Sequence, residues 1–329
     1  MTVQLLADSI KQTLSALEAP LGKPALRKVS EACAAMIHAK SVNTSEICVS
    51  LPAAPERPEE REQWLSRLLK SEAVDERAVM GPFARRALAR ASAGGQRPVL
   101  CMDQTELGHK HAILMLAVRS GERAAPLCWH VEKGPANVGH KEQIQLLETA
   151  KAWLPEGCKP ILMADRFYPS RPLLEWLRAN GFSWRIRLKG SIKLSTRLQR
   201  VDKVADLAAQ AGHGDYFDQD ALLFEDGVPC PIGWRWDEGH PEGWAIAMDC
   251  APNKASVRDY CDRWGIEAMF SDFKSRGFDL QASQMRYPKK LSKMILLVAV
   301  AFNCCLAAGA EAQKKANPAA ALAGASAAA

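Results

Sequence analysis

The chain has 329 residues, 48% of them hydrophobic, which is enough to bury a sizeable core and excludes a disordered or fibrous protein. A net charge of +6 favours a polyanionic partner without demanding one. Ten cysteines form no CxxC and no paired-histidine pattern, which predicts reduced, mostly buried thiols in a reducing cytoplasm rather than zinc ligands. The start, MTVQLLADSIKQTL, lacks the pattern of a secretory signal.

Residues 1–92 read as an N-terminal helical unit, with Leu, Ala and charged residues at helical spacing interrupted by LPAAPERPEE at 51–60. Within it, Lys28 to Leu51 fits a helix-turn-helix and equally a plain helical hairpin, so DNA contact there is an expectation. ASAGGQRP at 91–98 reads as a linker. The periodicity then changes: VLCMD (99–103), HAILMLAVRSG (111–121) and APLCWHVEKG (125–134) predict three consecutive strands. A helix follows over 140–154, then a buried strand PILMAD (160–165), then a helix capped by Ser170 and ending near Gly181. In FSWRIRLKG (182–190), Trp184, Ile186 and Leu188 alternate with Arg185, Arg187 and Lys189, a strand with one apolar and one basic face. The predicted class is therefore α/β.

Residues 191–251 break this pattern and predict a β-rich insertion. Helix resumes over 252–312, with Ser256 and Asp259 as a possible capping pair. The apolar stretch Met294 to Ala310 is shorter than a membrane span needs, which predicts a buried helix and no membrane. An Ala-rich tail occupies 313–329.

The chemistry concentrates at three acids. Asp103 and Asp165 each end a predicted strand, where functional groups of α/β sheets collect, although polar residues begin at strand ends for ordinary reasons too. On the helix after 256, Tyr260, Arg263, Glu267 and Lys274 fall within a sector of about 60° at helical spacing, beside an apolar face of Ile266, Met269, Phe270 and Phe273. A solvated charge stripe has the same periodicity. Three carboxylates suit hard divalent ions such as Mg²⁺ or Mn²⁺, and two ions a few ångströms apart would activate a nucleophile and stabilise a leaving oxygen at phosphorus. Arg166, Arg185, Arg187, Lys189, Arg263, Lys274, and Arg286, Lys289, Lys290 and Lys293 are candidates for phosphate contacts.

The spacing Tyr260, two residues, Arg263, three residues, Glu267, six residues, Lys274 resembles the signature of DDE transposases of the insertion-sequence-four group. DQT at 103–105 and ADRFYPS at 164–170 are similar to the regions around that family's two aspartates, with Gln104 where a small residue is usual. The resemblance spans roughly Val99 to Gly309. It implies an RNase H-like core, a mixed sheet flanked by helices, in two parts (93–190 and 252–312) separated by the insertion. It also implies metal binding by Asp103, Asp165 and Glu267, and DNA grip by Tyr260, Arg263 and Lys274. Trp234, Trp236 and Trp244 are then candidates to stack on a displaced base. The expected activity is DNA cleavage at transposon ends and strand transfer, by a homodimer on DNA in the cytoplasm, associated with the nucleoid. A DNA-binding regulator without catalysis and a nuclease that never joins are the competing readings.

Overall fold

The computed structural model describes residues 2–52, 55–198, 200–237, 239 and 241–316. The expected Ala-rich tail therefore lies, from residue 317 onward, outside the described residues. Helices come first: α1 (Val3–Ala16), α2 (Lys23–Ala39), α3 (Thr44–Ser50), α4 (Pro58–Leu68) and α5 (Glu76–Ala91). Their starts are encoded locally. Side chains of Thr2, Asn43 and Asp75 accept hydrogen bonds from first-turn amides of α1, α3 and α5, and proline opens α2 and α4. The pair α2 and α3 occupies the segment read as a helix-turn-helix or hairpin. In α3, where a recognition helix would stand, Glu46 is the lone charged residue, and the middle of α2 is buried from Val29 to Met36. This favours the hairpin.

The strands β1 (Val99–Leu107), β2 (His111–Ser120) and β3 (Arg123–Lys133) form an antiparallel meander. Helix α6 (His140–Lys151) crosses to β4 (Ile161–Ala164), and α7 (Arg171–Ala179) crosses to β5 (Ser183–Arg187). Both new strands run parallel to β1. The chain continues through β6 (Leu194–Ser195), α8 (Val204–Ala211), β7 (Tyr216–Asp218), β8 (Leu222–Leu223), β9 (Val228–Pro229), β10 (Ile232–Arg235) and β11 (Trp244–Met248). The main sheet has the order β3-β2-β1-β4-β5-β11-β10-β7, and β6-β8-β9 make a small second sheet. Of the segment read as an insertion, three strands thus extend the main sheet, because the edge of β5 would otherwise be left with unpaired backbone groups.

The C-terminal part is less regular than a single helix. It contains α9 (Lys254–Arg258), a 3-10 turn (Asp259–Trp264), α10 (Gly265–Ser271), a π-turn (Asp272–Arg276), a second 3-10 turn (Leu280–Ser283) and α11 (Pro288–Ala316). The cap of α9 is Asn253 with Ser256 reciprocating, three residues ahead of the expected pair of Ser256 and Asp259.

Two large cores cover the two faces of the sheet. One joins Cys101, Ile113, Met115 and Ala117 of β1 and β2 to α10, α11 and the first helices. The other packs Leu100, Met102, Leu162 and Ile186 against α6 and α7. The N-terminal helices, read as a separate unit, therefore share a core with α11 and the sheet. Cys33 of α2 even donates to the Leu297 carbonyl of α11 at 3.3 Å. By length and composition α11 could cross a membrane, but its stretch from Met294 to Phe302 is buried against the protein's own elements. All ten cysteines are unpaired, and Cys33, Cys48, Cys101, Cys128 and Cys230 are buried.

Candidate active site

Parallel pairing of β1 with β4 ends at Met102 and Ala164. One residue beyond stand Asp103 and Asp165, so adjacent strands deliver two carboxylates side by side. Asp165 follows the last residue of β4, as the apolar pattern predicts. Asp103 does not end its strand, because β1 goes on to Leu107 through pairing with β2 alone. Strand alternation puts Cys101 and Asp103 on one face, and Cys101 donates to the Asp262 carbonyl in the 3-10 turn. That face therefore looks at the C-terminal helical segment.

This segment is docked by Arg119, which donates to the Asp262 carbonyl at 2.7 Å, and by the ion pair Arg123 to Asp272 at 2.8 Å. Gly265 permits the approach: a Cβ there would lie 2.9 Å from the Arg123 carbonyl oxygen and from Arg119 Cδ. The 3-10 turn changes the geometry expected of a straight α-helix. Residues three apart eclipse in a 3-10 turn, and Arg263 lies over the Tyr260 ring, its Cζ 5.6 Å from the centroid. Arg263 Nη1 donates to Asp103 Oδ2 at 2.9 Å, and Nη2 bonds Glu267 Oε1. Tyr260, Arg263, Asp103 and Glu267 are thus brought together. Lys274 is not: it sits in the π-turn, which breaks the helical phase, and its charged neighbour is Glu106. Burial pushes its ammonium pKa down.

The electrostatics follow from burial. Desolvation, with Arg263 opposing it, raises the Asp103 carboxyl to about 6, and the nearby Asp165 and Glu267 add to the rise. The Tyr168 hydroxyl is buried close to Asp103, and burial pushes this phenol and that of Tyr260 up, which keeps both protonated. Tyr168 escaped the sequence reading, although ADRFYPS contains it, because nothing in its spacing shows that it folds back onto another strand. Asp103 Oδ1 and Asp165 Oδ1 also accept from the next residue's amide, Gln104 at 2.9 Å and Arg166 at 2.6 Å. Gln104 is itself employed, since its side chain accepts from the Val138 amide and donates to the Ala136 carbonyl.

Beside these acids lies a cleft of about 210 Å³ lined by Arg187, Pro241, Glu242, Trp244, Tyr260, Arg263 and Trp264. Two buried polar atoms of residues that line it, Tyr260 Oη and Arg263 Nε, have no hydrogen-bond partner within the protein. Trp244 packs edge-on against both Tyr260 and Trp264, with centroids 5.8 and 5.6 Å away. Of the three tryptophans singled out by sequence, Trp244 is at the site. Trp234 is buried, its Nε1 bonded to the Gly212 carbonyl, and Trp236 stacks on His213. The half-exposed Trp264, outside the predicted insertion, joins Trp244 at the site.

The remaining candidate cations divide. Arg166 and Arg187 both pair with Glu242, and exposed Lys189 sits over the Phe167 ring. Arg185 is 5% exposed and fully engaged, by Asp249, Asp259 and the carbonyls of Trp184 and Ser256. It faces inward because this part of β5 is covered on both sides, whereas Arg187 is half-buried and Lys189 exposed. Lys293 bonds Glu76 and the Val74 carbonyl.

As metal donors the residues fit by type, since all three are hard carboxylate oxygens. Among the described residues no group of three or more His, Cys, Asp or Glu lies close enough to share one ion. Instead the Arg263 guanidinium supplies the counter-charge between Asp103 and Glu267.

A mixed sheet of this order, flanked by helices and carrying acids on its first strand and just after its fourth, is consistent with an RNase H-like core. Residues 94–304 match the family described as Transposase DDE domain, and the chain belongs to that family. The family implies a DNA substrate and an enzyme of nuclease-like chemistry. No curated protein matches the chain.

Proposed function

We propose that this chain is a DNA transposase of the insertion-sequence-four group, which cleaves transposon ends and transfers the freed strand into target DNA by in-line phosphoryl displacement. The observation that carries this reading is the pair of unpartnered buried atoms, Tyr260 Oη and Arg263 Nε, beside Asp103 and Asp165. A buried donor without a partner costs free energy, and rearrangement of the cluster around an entering phosphodiester would supply one. Asp103, Asp165 and Glu267 would hold Mg²⁺ or Mn²⁺, as two ions in this chemistry. Such ions supply Lewis-acid stabilisation of charge at phosphorus.

The chain's own residues have definite tasks. Tyr168 packs beside the Asp103 carboxyl, Arg263 balances the acids until DNA and metal arrive, and Arg166 and Arg187 meet backbone phosphates. Trp244 and Trp264 offer aromatic surface to a base displaced from its stack. The protein works as a homodimer that pairs two ends, in the cytoplasm in association with the nucleoid.

The test uses DNA carrying the inverted repeats that flank the gene. With Mg²⁺ the protein should produce a nick with a free 3′-hydroxyl and join pre-cut ends to a second DNA, and Asp103→Asn should abolish both. Cleavage that survives this substitution would overturn the assignment. Normal DNA binding with no cleavage in any metal would identify a regulator instead.

A further inference from the structure

Arg166 and Arg187 belong to different segments, yet both end at one carboxylate oxygen. Glu242 Oε1 accepts from Arg187 Nη2 at 2.6 Å and from Arg166 Nη1 at 3.2 Å, and Oε2 lies 3.5 Å from the same Arg166 nitrogen. Arg166 directly follows Asp165, and Arg187 stands one residue beyond Ile186, the partner of Ala164. The two guanidiniums therefore border the candidate metal ligand Asp165. Glu242 comes from the connection between β10 and β11, whose paired ends are Arg235 and Trp244. With Pro241 it lines the cleft that Tyr260 and Arg263 also line.

We infer that Arg166 and Arg187 form a single phosphodiester-binding subsite, filled in the DNA-free protein by the carboxylate of Glu242, which must leave when a strand enters. This rests on the reading that the chain acts on DNA. Two guanidiniums converging on one oxygen is the arrangement that recognises phosphate, and a carboxylate is its nearest equivalent among side chains. The Glu242 and Arg166 side chains are 52% and 41% exposed, so their pair contributes little stability; Arg187, 16% exposed, is the more firmly held of the two cations. Its consequence is electrostatic. With Glu242 in place the subsite shows a strand one net positive charge, and without it two. Glu242 thus sets a threshold that only a strand making several contacts at once can cross.

The experiment measures binding of a fluorescein-labelled DNA duplex of arbitrary sequence by anisotropy across a salt series, with metal chelated so that nothing is cut. The Glu242→Gln protein should bind about tenfold more tightly than wild type at low salt, with the gain shrinking as salt rises, since removing the carboxylate leaves two uncompensated cations at the subsite. Glu242→Ala should give the same shift, which covers a local packing fault in either variant. Adding Arg166→Ala and Arg187→Ala to Glu242→Gln should remove the gain. The inference is overturned if wild type binds DNA and neither Glu242 variant changes affinity or slope, or if the gain persists without the two arginines. If neither wild type nor variants bind DNA at all, the functional reading falls first and the subsite with it.

Discussion

Arg185 and Arg263 are both buried, both hold two acidic partners, and both pin the same 3-10 turn to the sheet, yet their hydrogen-bonding differs. Arg185 is saturated: Nε meets the Ser256 carbonyl, Nη1 the Trp184 carbonyl and Asp249, and Nη2 the Cys250 sulfur and Asp259. Arg263 reaches Asp103 and Glu267 but leaves Nε without a partner, next to an equally unpartnered Tyr260 hydroxyl. A closed polar network fixes a structure, and an open one marks a place where something else completes it. Burial of charge does not separate the two roles; unused hydrogen-bonding capacity does.

The strongest way to break this comparison is Asp103→Asn. If the Arg263 cluster serves chemistry, cleavage should fall by at least ~10³-fold, about 4 kcal/mol of barrier. The metal-free protein should melt no lower than wild type, because burial already disfavours the Asp103 charge. A lower melting temperature would make the cluster structural after all. Next in size, Arg185→Ala should destabilise the fold by about 2–3 kcal/mol, since its acidic partners keep some solvent contact. DNA affinity of the folded protein should stay near wild type. Loss of DNA binding in that variant, measured well below its melting temperature, would return Arg185 to the list of phosphate contacts.

The sequence-level pattern separates these roles only in part. The meander, the crossovers and the positions of Asp103 and Asp165 were legible because short apolar runs between turn residues reveal strands whatever packs on them. Arg185 misled because alternation marks two faces without saying that both are covered. The π-turn around Lys274 cannot be read from periodicity. Tyr168, Trp264 and Glu242 were invisible for another reason: each acts on a residue far away in the chain, and only the fold decides that.

A smaller effect sharpens the comparison without touching either arginine. Gly265→Ala places a Cβ against the Arg123 carbonyl, which is backbone and yields poorly. The segment carrying Arg263 and Glu267 should shift, at a cost of about 1–2 kcal/mol in stability. Cleavage should fall by more than denaturation alone explains. Equal losses in both would mean that the site tolerates displacement, contrary to a preorganised cluster.

The smallest effect is in pH. The Asp103 carboxyl is raised from 3.8 to about 6 in the folded chain, so between those values the folded state holds a proton that the unfolded state releases. In the metal-free protein this contribution to stability is fully present below about pH 4 and is lost as pH rises through about 6. Metal binding runs the other way, because a ligand must be a carboxylate: below about pH 6 the apparent Mg²⁺ affinity should weaken by up to tenfold per unit. Melting curves with and without Mg²⁺ across this range read both trends at once, and the metal-induced rise should fade on the acid side. The fading should disappear in Asp103→Asn. If Arg263 is what balances Asp103 in the resting protein, Arg263→Gln should move it to higher pH, since removing the cation makes the buried carboxylate harder to form. Arg185→Ala should leave it in place.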